Sequence, residues 1–282
     1  MKKVLLTGKT GFIGRNILPF LTEKYDVDAP SRQELDLLDE DAVTGYVDKK
    51  NYDIILNMAT PNPVKNPLHD NSSKMLRDSI SIFLNFQRVS NSFGKMIYAG
   101  SGAEFNKKLD ICSIKEDDFG RSIPEDDYGF AKYVMNEISA KSDNIYNLRL
   151  FAVYGPYDHE SKFITHAINC CLRNEPVTIR KDCRFNYLHI NDVVKFLSFL
   201  IENEVKHHDY NCCSGEHLLL SEIAKEVCKQ MSTDYEVNIL SPDLNNEYTG
   251  SCARFLSEYS GDMEFTSLSK GIEMQIEFMK GL

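Results

Sequence analysis

The 282-residue chain predicts an α/β fold built on a doubly wound parallel sheet, and three observations carry that prediction. A short apolar run, Val4 to Leu6, leads straight into Gly8, Gly11 and Gly14 and then into apolar residues at helical spacing, Ile13, Ile17, Leu18, Phe20 and Leu21. Further short apolar runs at Tyr52 to Ala59 and Lys95 to Ala99 read as buried strands separated by helical stretches. A hydrophobic content of 42% over this length suits one large domain, or a large one with a small companion.

Composition narrows the function. A net charge of -10 without a long basic run argues against general nucleic-acid binding, although an acidic chain can still hold phosphate locally. No apolar segment has the form of a signal peptide or approaches the length of a membrane span, so a soluble, cytoplasmic protein without membrane contact is expected. Eight scattered cysteines with no C-x-x-C pair give no zinc site and no redox motif, so no metal is expected.

The first strand, glycine turn and helix are the arrangement that holds a pyrophosphate. Glycines let the backbone turn sharply and approach the phosphates, whose charge meets the helix N–H groups and positive dipole end. Gly8, Thr10, Gly11, Phe12, Ile13 and Gly14 are therefore candidate cofactor residues, although the spacing is G-x-x-G-x-x-G rather than G-x-G-x-x-G. Tyr25 to Ala29 forms the second strand, followed by a turn from Pro30 to Asp39. Ser31 and Arg32 in that turn suit a 2′-phosphate and hence NADP, while Asp28 lies close enough to accept a ribose 2′-hydroxyl and leaves NAD as the alternative. The third strand ends in Thr60-Pro61-Asn62-Pro63, which must be loop, and so sets Ala59 and Thr60 at the carboxyl edge beside the cofactor.

Apolar residues between Lys74 and Ser92 recur at helical spacing and read as core. The strand from Lys95 then delivers Ser101 to a carboxyl end, where a hydroxyl can point into a ligand crevice. Tyr128 and Lys132 stand four residues apart on one helix face, and an ammonium near a phenol favours phenolate, as a proton shuttle needs. Tyr46 and Lys50 have the same spacing but follow no serine-bearing strand.

Thr7-Gly8-Lys9-Thr10-Gly11-Phe12-Ile13-Gly14, together with Ser101, Tyr128 and Lys132, resembles the TGxxGFIG and Ser/Tyr/Lys pattern of the extended short-chain dehydrogenase/reductases, a family of nucleotide-sugar epimerases, dehydratases and keto-reductases. The resemblance implies a Rossmann-like fold, NADP or NAD as cofactor, a nucleotide-sugar substrate and a homodimer. It makes Tyr128 the acid/base, Ser101 a hydrogen-bond partner of the reacting oxygen, and Lys132 the residue that orients the nicotinamide ribose. The stretch from Ser31 to Asp39 is similar to that of GDP-fucose synthase-like and dTDP-4-keto-rhamnose reductase-like members, several of which prefer NADP, and in the family Asp36, with Leu37 beside it, meets the adenine edge; by spacing alone Asp36 is equally a helix cap or turn carboxylate.

The later chain extends the resemblance. Asn147 to Pro156 is similar to the family's R-x-x-x-V-Y-G-P segment, in which Arg149 reads as a structural ion-pair partner. Lys162 falls where relatives place a sugar-facing residue, and it is equally a solvated lysine at a helix start. Arg184, ahead of Phe185 to Val194, is the candidate for the substrate's nucleotide moiety, because a guanidinium fork suits phosphate and base edges. Asp192 reads as the cap of the following helix and His189 as a packed strand residue. Arg254 matches a late arginine that reaches the substrate diphosphate. The implied division gives residues 1–156, with 184–210 returning, to the dinucleotide, and 157–183 with 211–282 to a small C-terminal α/β substrate-binding part.

Sugar dehydratases of the family carry an Asp-Glu pair directly after the active serine or threonine. Gly102 and Ala103 stand there, and Glu104 is one step too far, aimed elsewhere, so dehydration is disfavoured. A 4-keto-sugar reductase leads, on the NADP-like turn. A 4-epimerase with tightly held NAD, and a dinucleotide-binding regulatory protein without turnover, are the alternatives.

Overall fold

The computed structural model describes residues 1–61 and 72–281, so Asn62 and Pro63 of the expected loop lie outside the described residues. The first half runs β1 (Lys3–Thr7), α1 (Phe12–Lys24), β2 (Asp26–Asp28), α2 (Glu40–Asp48), β3 (Tyr52–Asn57), α3 (Ser72–Arg88), β4 (Phe93–Ser101), β5 (Ile111–Ile114), α4 (Asp127–Ser139) and β6 (Ile145–Leu150). The second half runs β7 (Ala152–Tyr154), α5 (Phe163–Leu172), β8 (Thr178–Asp182), β9 (Arg184–Phe185), β10 (Tyr187–His189), α6 (Ile190–Glu202) and β11 (Asp209–Cys212). It closes with β12 (Leu218–Leu219), α7 (Leu220–Gln230), β13 (Asn238–Leu244), β14 (Tyr248–Gly250), α8 (Ala253–Glu258) and α9 (Leu268–Lys280).

Among the described residues six strands make one sheet in the order β11-β6-β4-β3-β1-β2, and every pairing is parallel. Both faces are covered, which is why the strands are near-continuous apolar runs rather than alternating ones. Val4, Leu6, Ile54, Leu56 and Ile97 pack with Ile17 and Leu21 of α1 and Phe196 and Leu200 of α6. Leu5, Ile55, Met96 and Tyr98 face the other way, onto Val43 and Val47 of α2, Phe83 and Phe86 of α3, and Met135 of α4. A third core joins α5, β8, α7 and α9 through Ile168, Ile179, Val227 and Ile272.

β1 has β2 on one side and β3 on the other, so the strand order reverses between β1 and β3 and opens a crevice at their carboxyl ends. The second strand is shorter than the sequence suggested, Asp26 to Asp28 only. Asp192 is also not the helix cap: His189 caps α6 by accepting the Asn191 N–H. Asp192 lies in the first turn of α6, where its buried carboxylate takes Lys195 Nζ and the Thr266 N–H, both at 2.8 Å. No described helix is long and apolar enough to cross a membrane.

Candidate active site

The glycine turn has the geometry a pyrophosphate needs. Gly8 sits at φ +75°, and a Cβ on it would lie 2.8 Å from the Ala59 nitrogen. A Cβ on Gly14 would lie 2.2 Å from the Gly8 carbonyl oxygen, so α1 packs onto the turn only because Gly14 has no side chain. Gly11 precedes α1 without any side-chain cap, and the first turn, with Phe12 and Ile13 half-buried, carries no acidic residue. Its N–H groups and positive dipole end are therefore left for an anion, which a dinucleotide would supply. Thr7 Oγ1 donates to Asn57 at 2.8 Å and accepts the Ala59 N–H at 3.2 Å, tying the ends of β1 and β3. Thr10 and Thr60 are exposed at this edge, with Ala59 half-buried.

At the end of β2 the candidate residues for the two cofactors have different surroundings. The Asp28 carboxylate is taken by Tyr46 Oη at 3.0 Å, by Lys50 Nζ at 2.5 Å and by Tyr52 Oη. Burial pushes this acid up, but the bonds from Lys50, Tyr52 and Tyr46 outweigh it and hold the group below the usual carboxylate range. The second Tyr/Lys pair of the sequence is therefore a clamp on Asp28. Arg32 is exposed and is in no ion pair among the described residues, while half-buried Ser31 donates its N–H to Glu34 Oε2 at 2.6 Å. Asp36 is an exposed turn carboxylate that accepts the Leu38 N–H at 3.1 Å, while Asp39 caps α2. Leu37 is half-buried, and its carbonyl accepts Asn85 Nδ2 at 2.9 Å.

Ser101, Tyr128 and Lys132 come together at the carboxyl end of β4. Ser101 is the last residue of the strand, and its Oγ accepts the Ala103 N–H at 3.2 Å. Lys132 is 2% exposed and donates to the Ala99 carbonyl at 2.7 Å, with its Nζ 5.9 Å from the Tyr128 ring centroid. Burial pulls its ammonium down to about 8, partly opposed by Glu104. The expectation that Lys132 lowers Tyr128 toward phenolate is not met here. Burial pushes the phenol up, Glu104 and Asp126 push it further, and only the Ser101 hydroxyl favours the phenolate.

Tyr248 was not picked out from the sequence, and Glu104 was expected to aim elsewhere. Tyr248 of β14 brings its Oη to 2.6 Å from where a Gly102 Cβ would sit, with its ring against Phe151 at 5.4 Å and Phe185 at 5.6 Å. Only glycine leaves room for it, which gives the missing side chain after Ser101 a spatial reason. The one sequence signal was Gly102 itself. Glu104 is buried and accepts Arg149 Nε at 2.8 Å, which makes Arg149 the structural ion-pair partner that the sequence suggested.

Of the substrate candidates, Arg184 and Lys162 are exposed, Arg184 opening β9 next to the residue that pairs with Tyr248 and Lys162 preceding α5. Arg254 is a correction. Its guanidinium is held by Asp209 and Asp117, with Glu116 at 3.8 Å, so three carboxylates already satisfy it. Asp209 opens β11, at the edge of the sheet away from Ser101, so Arg254 is an anchor between α8 and the sheet rather than a diphosphate ligand in this structure. His189 is buried, with Nε2 unpartnered.

Comparison with known proteins agrees with this geometry. The description "NAD dependent epimerase/dehydratase family" matches residues 4–213. The ADP-L-glycero-D-manno-heptose-6-epimerase of Brachyspira hyodysenteriae is 24% identical, with 98% of each chain covered. The chain is similar in fold to an NADP-bound GDP-mannoheptose C4 reductase from Campylobacter jejuni, at TM-score 0.84 and 18% identity over 99% of this chain and 98% of that one. The UDP-glucose 4-epimerase of Thermotoga maritima superposes at TM-score 0.83 with 18% identity over 99% of each chain.

Proposed function

Because the chain belongs to the NAD-dependent epimerase/dehydratase family, whose members depend on NAD or NADP, we propose that it is an NADP-dependent reductase of a nucleotide-linked 4-keto sugar. One observation carries the reading: Ser101, Tyr128 and Lys132 meet at the carboxyl end of β4, beside a glycine where a dehydratase would carry an acid. The clamp on Asp28 favours NADP, since a carboxylate already taking three donors is a poor partner for a ribose hydroxyl, and Arg32 is left for a 2′-phosphate.

On this reading Gly8 to Gly14 hold the pyrophosphate, Ser31 and Arg32 the 2′-phosphate, Asp36 and Leu37 the adenine, and Ala59, Thr60 and Lys132 the nicotinamide half. The cofactor supplies hydride chemistry when bound. Tyr128 gives its phenolic proton to the keto oxygen as that oxygen gains charge, and the phenol, raised further by burial, is in the protonated form this needs. Ser101 donates a hydrogen bond to the same oxygen, and Tyr248 closes the far side of the sugar. Arg184 and Lys162 face the nucleotide and sugar. Residues 1–156 with 184–210 serve the dinucleotide, and 157–183 with 211–282 the substrate, in a cytoplasmic homodimer whose sedimentation mass is that of two chains.

Epimerisation is the second reading, favoured by the heptose epimerase relative that covers the whole chain. The test follows nicotinamide absorbance with NADPH, and separately NADH, across nucleotide-linked 4-keto-6-deoxy sugars and ordinary nucleotide sugars. Stoichiometric loss of absorbance identifies a reductase, and an altered sugar at constant absorbance an epimerase. Tyr128→Phe should lower turnover by about a hundredfold or more while cofactor affinity stays within about twofold. Turnover intact in Tyr128→Phe rules out this mechanism.

A further inference from the structure

We propose that Glu104 is a positioning residue of this active site: it locks the Ser101 backbone and supplies the buried carboxylate that Lys132 works against. The inference rests on Lys132 holding the cofactor, as read above. Glu104 is fully buried, and its carboxylate accepts four hydrogen bonds, from Ser101 N–H at 3.1 Å, from Asn147 Nδ2 at 3.1 and 3.0 Å, and from Arg149 Nε at 2.8 Å. The bond from Ser101 spans the turn that leaves β4, so it sets the direction in which the serine presents its hydroxyl. The carboxylate also lies against Gly100, where a Cβ would be 2.8 Å from Oε1. Gly100 is next to Ala99, whose carbonyl holds Lys132. The Glu104 carboxylate thus lies against Gly100, while the Lys132 ammonium bonds to the carbonyl of Ala99, the residue before it.

Stability alone does not explain a charge in this place. A buried ion pair is roughly balanced against an apolar pair of the same volume. Arg149 is not dedicated to Glu104, since it also donates to Asp209 at 2.8 Å and to Asn211 at 2.9 Å. Charges on the surrounding elements are accounted for. Asp126, at the start of α4, has Lys107 at 3.8 Å; Asp78 of α3 is paired with Arg77; Asp209 of β11 is shared by Arg149 and Arg254. Glu104 is the carboxylate that opposes the loss of charge Lys132 suffers on burial, and it also raises Tyr128. Burial raises the Glu104 carboxyl itself, and Arg149, the Ser101 N–H and Asn147 oppose that rise in favour of the anion.

The sign follows directly. Removing a nearby anion makes each deprotonation easier, so in Glu104→Gln the pH at which Lys132 loses its proton moves down. NADPH fluorescence titrations across a pH series read this without a substrate, because affinity falls as Lys132 loses its charge. In Glu104→Gln the midpoint should drop by roughly one pH unit. Glu104→Gln/Arg149→Met covers the case of misfolding: both charges of the pair go and Asp209 keeps Arg254, and because a cation leaves with the anion the midpoint should still move down but by less than in Glu104→Gln. A purely structural Glu104 would change melting temperature or maximal affinity and leave the midpoint in place. An unmoved midpoint in either folded variant overturns the proposal, as does a wild type whose NADPH affinity has no such midpoint. Wild-type turnover of the sugar panel is scored separately and tests the parent reading.

Discussion

Lys132→Met should make the protein more stable relative to wild type at neutral pH than at alkaline pH, while removing its activity. The ammonium is buried, and burial brings its pKa from 10.5 to about 8. A shift of about 2.5 units at about 1.4 kcal/mol each sets a penalty of roughly 3 kcal/mol on the folded state wherever the unfolded chain is protonated and charged. The folded pKa is the lower one, so between the two values the unfolded state binds more protons and stability rises with pH. The penalty is complete below the folded pKa and fades as pH climbs toward 10.5. Between about pH 7 and about pH 9.5 it shrinks by roughly 2 kcal/mol, which is the amount by which the stability difference between the Lys132→Met variant and wild type should narrow. The lost bond to the Ala99 carbonyl changes the absolute difference but not its pH dependence, since a carbonyl does not titrate. Urea unfolding of both proteins at the two pH values supplies the numbers. A difference that stays constant with pH would refute the reasoning, because it would mean that Lys132 is solvated or permanently paired.

Three further outcomes follow from the same geometry. Arg32→Ala should weaken NADPH binding by about tenfold, the scale of one charge-assisted contact, and leave NADH within about twofold; equal losses on both would contradict the phosphate role. Gly14→Ala places a methyl group against the Gly8 carbonyl, so it should abolish cofactor binding in calorimetry or lower the melting temperature by several degrees, and unchanged binding in a fully stable variant would show that the turn can open. Asp28→Asn loosens the clamp of Tyr46, Lys50 and Tyr52. Because Asp28 is held low in the folded state, its contribution is present above the ordinary 3.8 and is lost as pH falls through the lower folded value, so the variant's melting deficit at neutral pH should close in acid.

What the sequence determined by itself was local. Gly8, Gly11 and Gly14 after an apolar run dictate a strand, a sharp turn and a helix start, because at Gly8 and Gly14 a side chain would collide with the backbone of the turn. The four-residue interval of Tyr128 and Lys132 puts both on one side of a helix, and the apolar run before Ser101 carries it to a strand end. What only the tertiary structure decided were the partners of charges and hydroxyls far apart in the chain. Tyr46 and Lys50 have the same spacing as Tyr128 and Lys132, yet the fold turns them onto Asp28. Arg254 looked free to meet a diphosphate until Asp117 and Asp209, distant in sequence, neutralised it. Tyr248 reaches Gly102, and Glu104 reaches Arg149, only through the packing of strands that the chain visits at widely separated points. Helix and strand periodicity act over a few residues and can be read from them. A buried charge takes whichever counter-charge the finished core brings within a few ångströms, and only the closed fold fixes that.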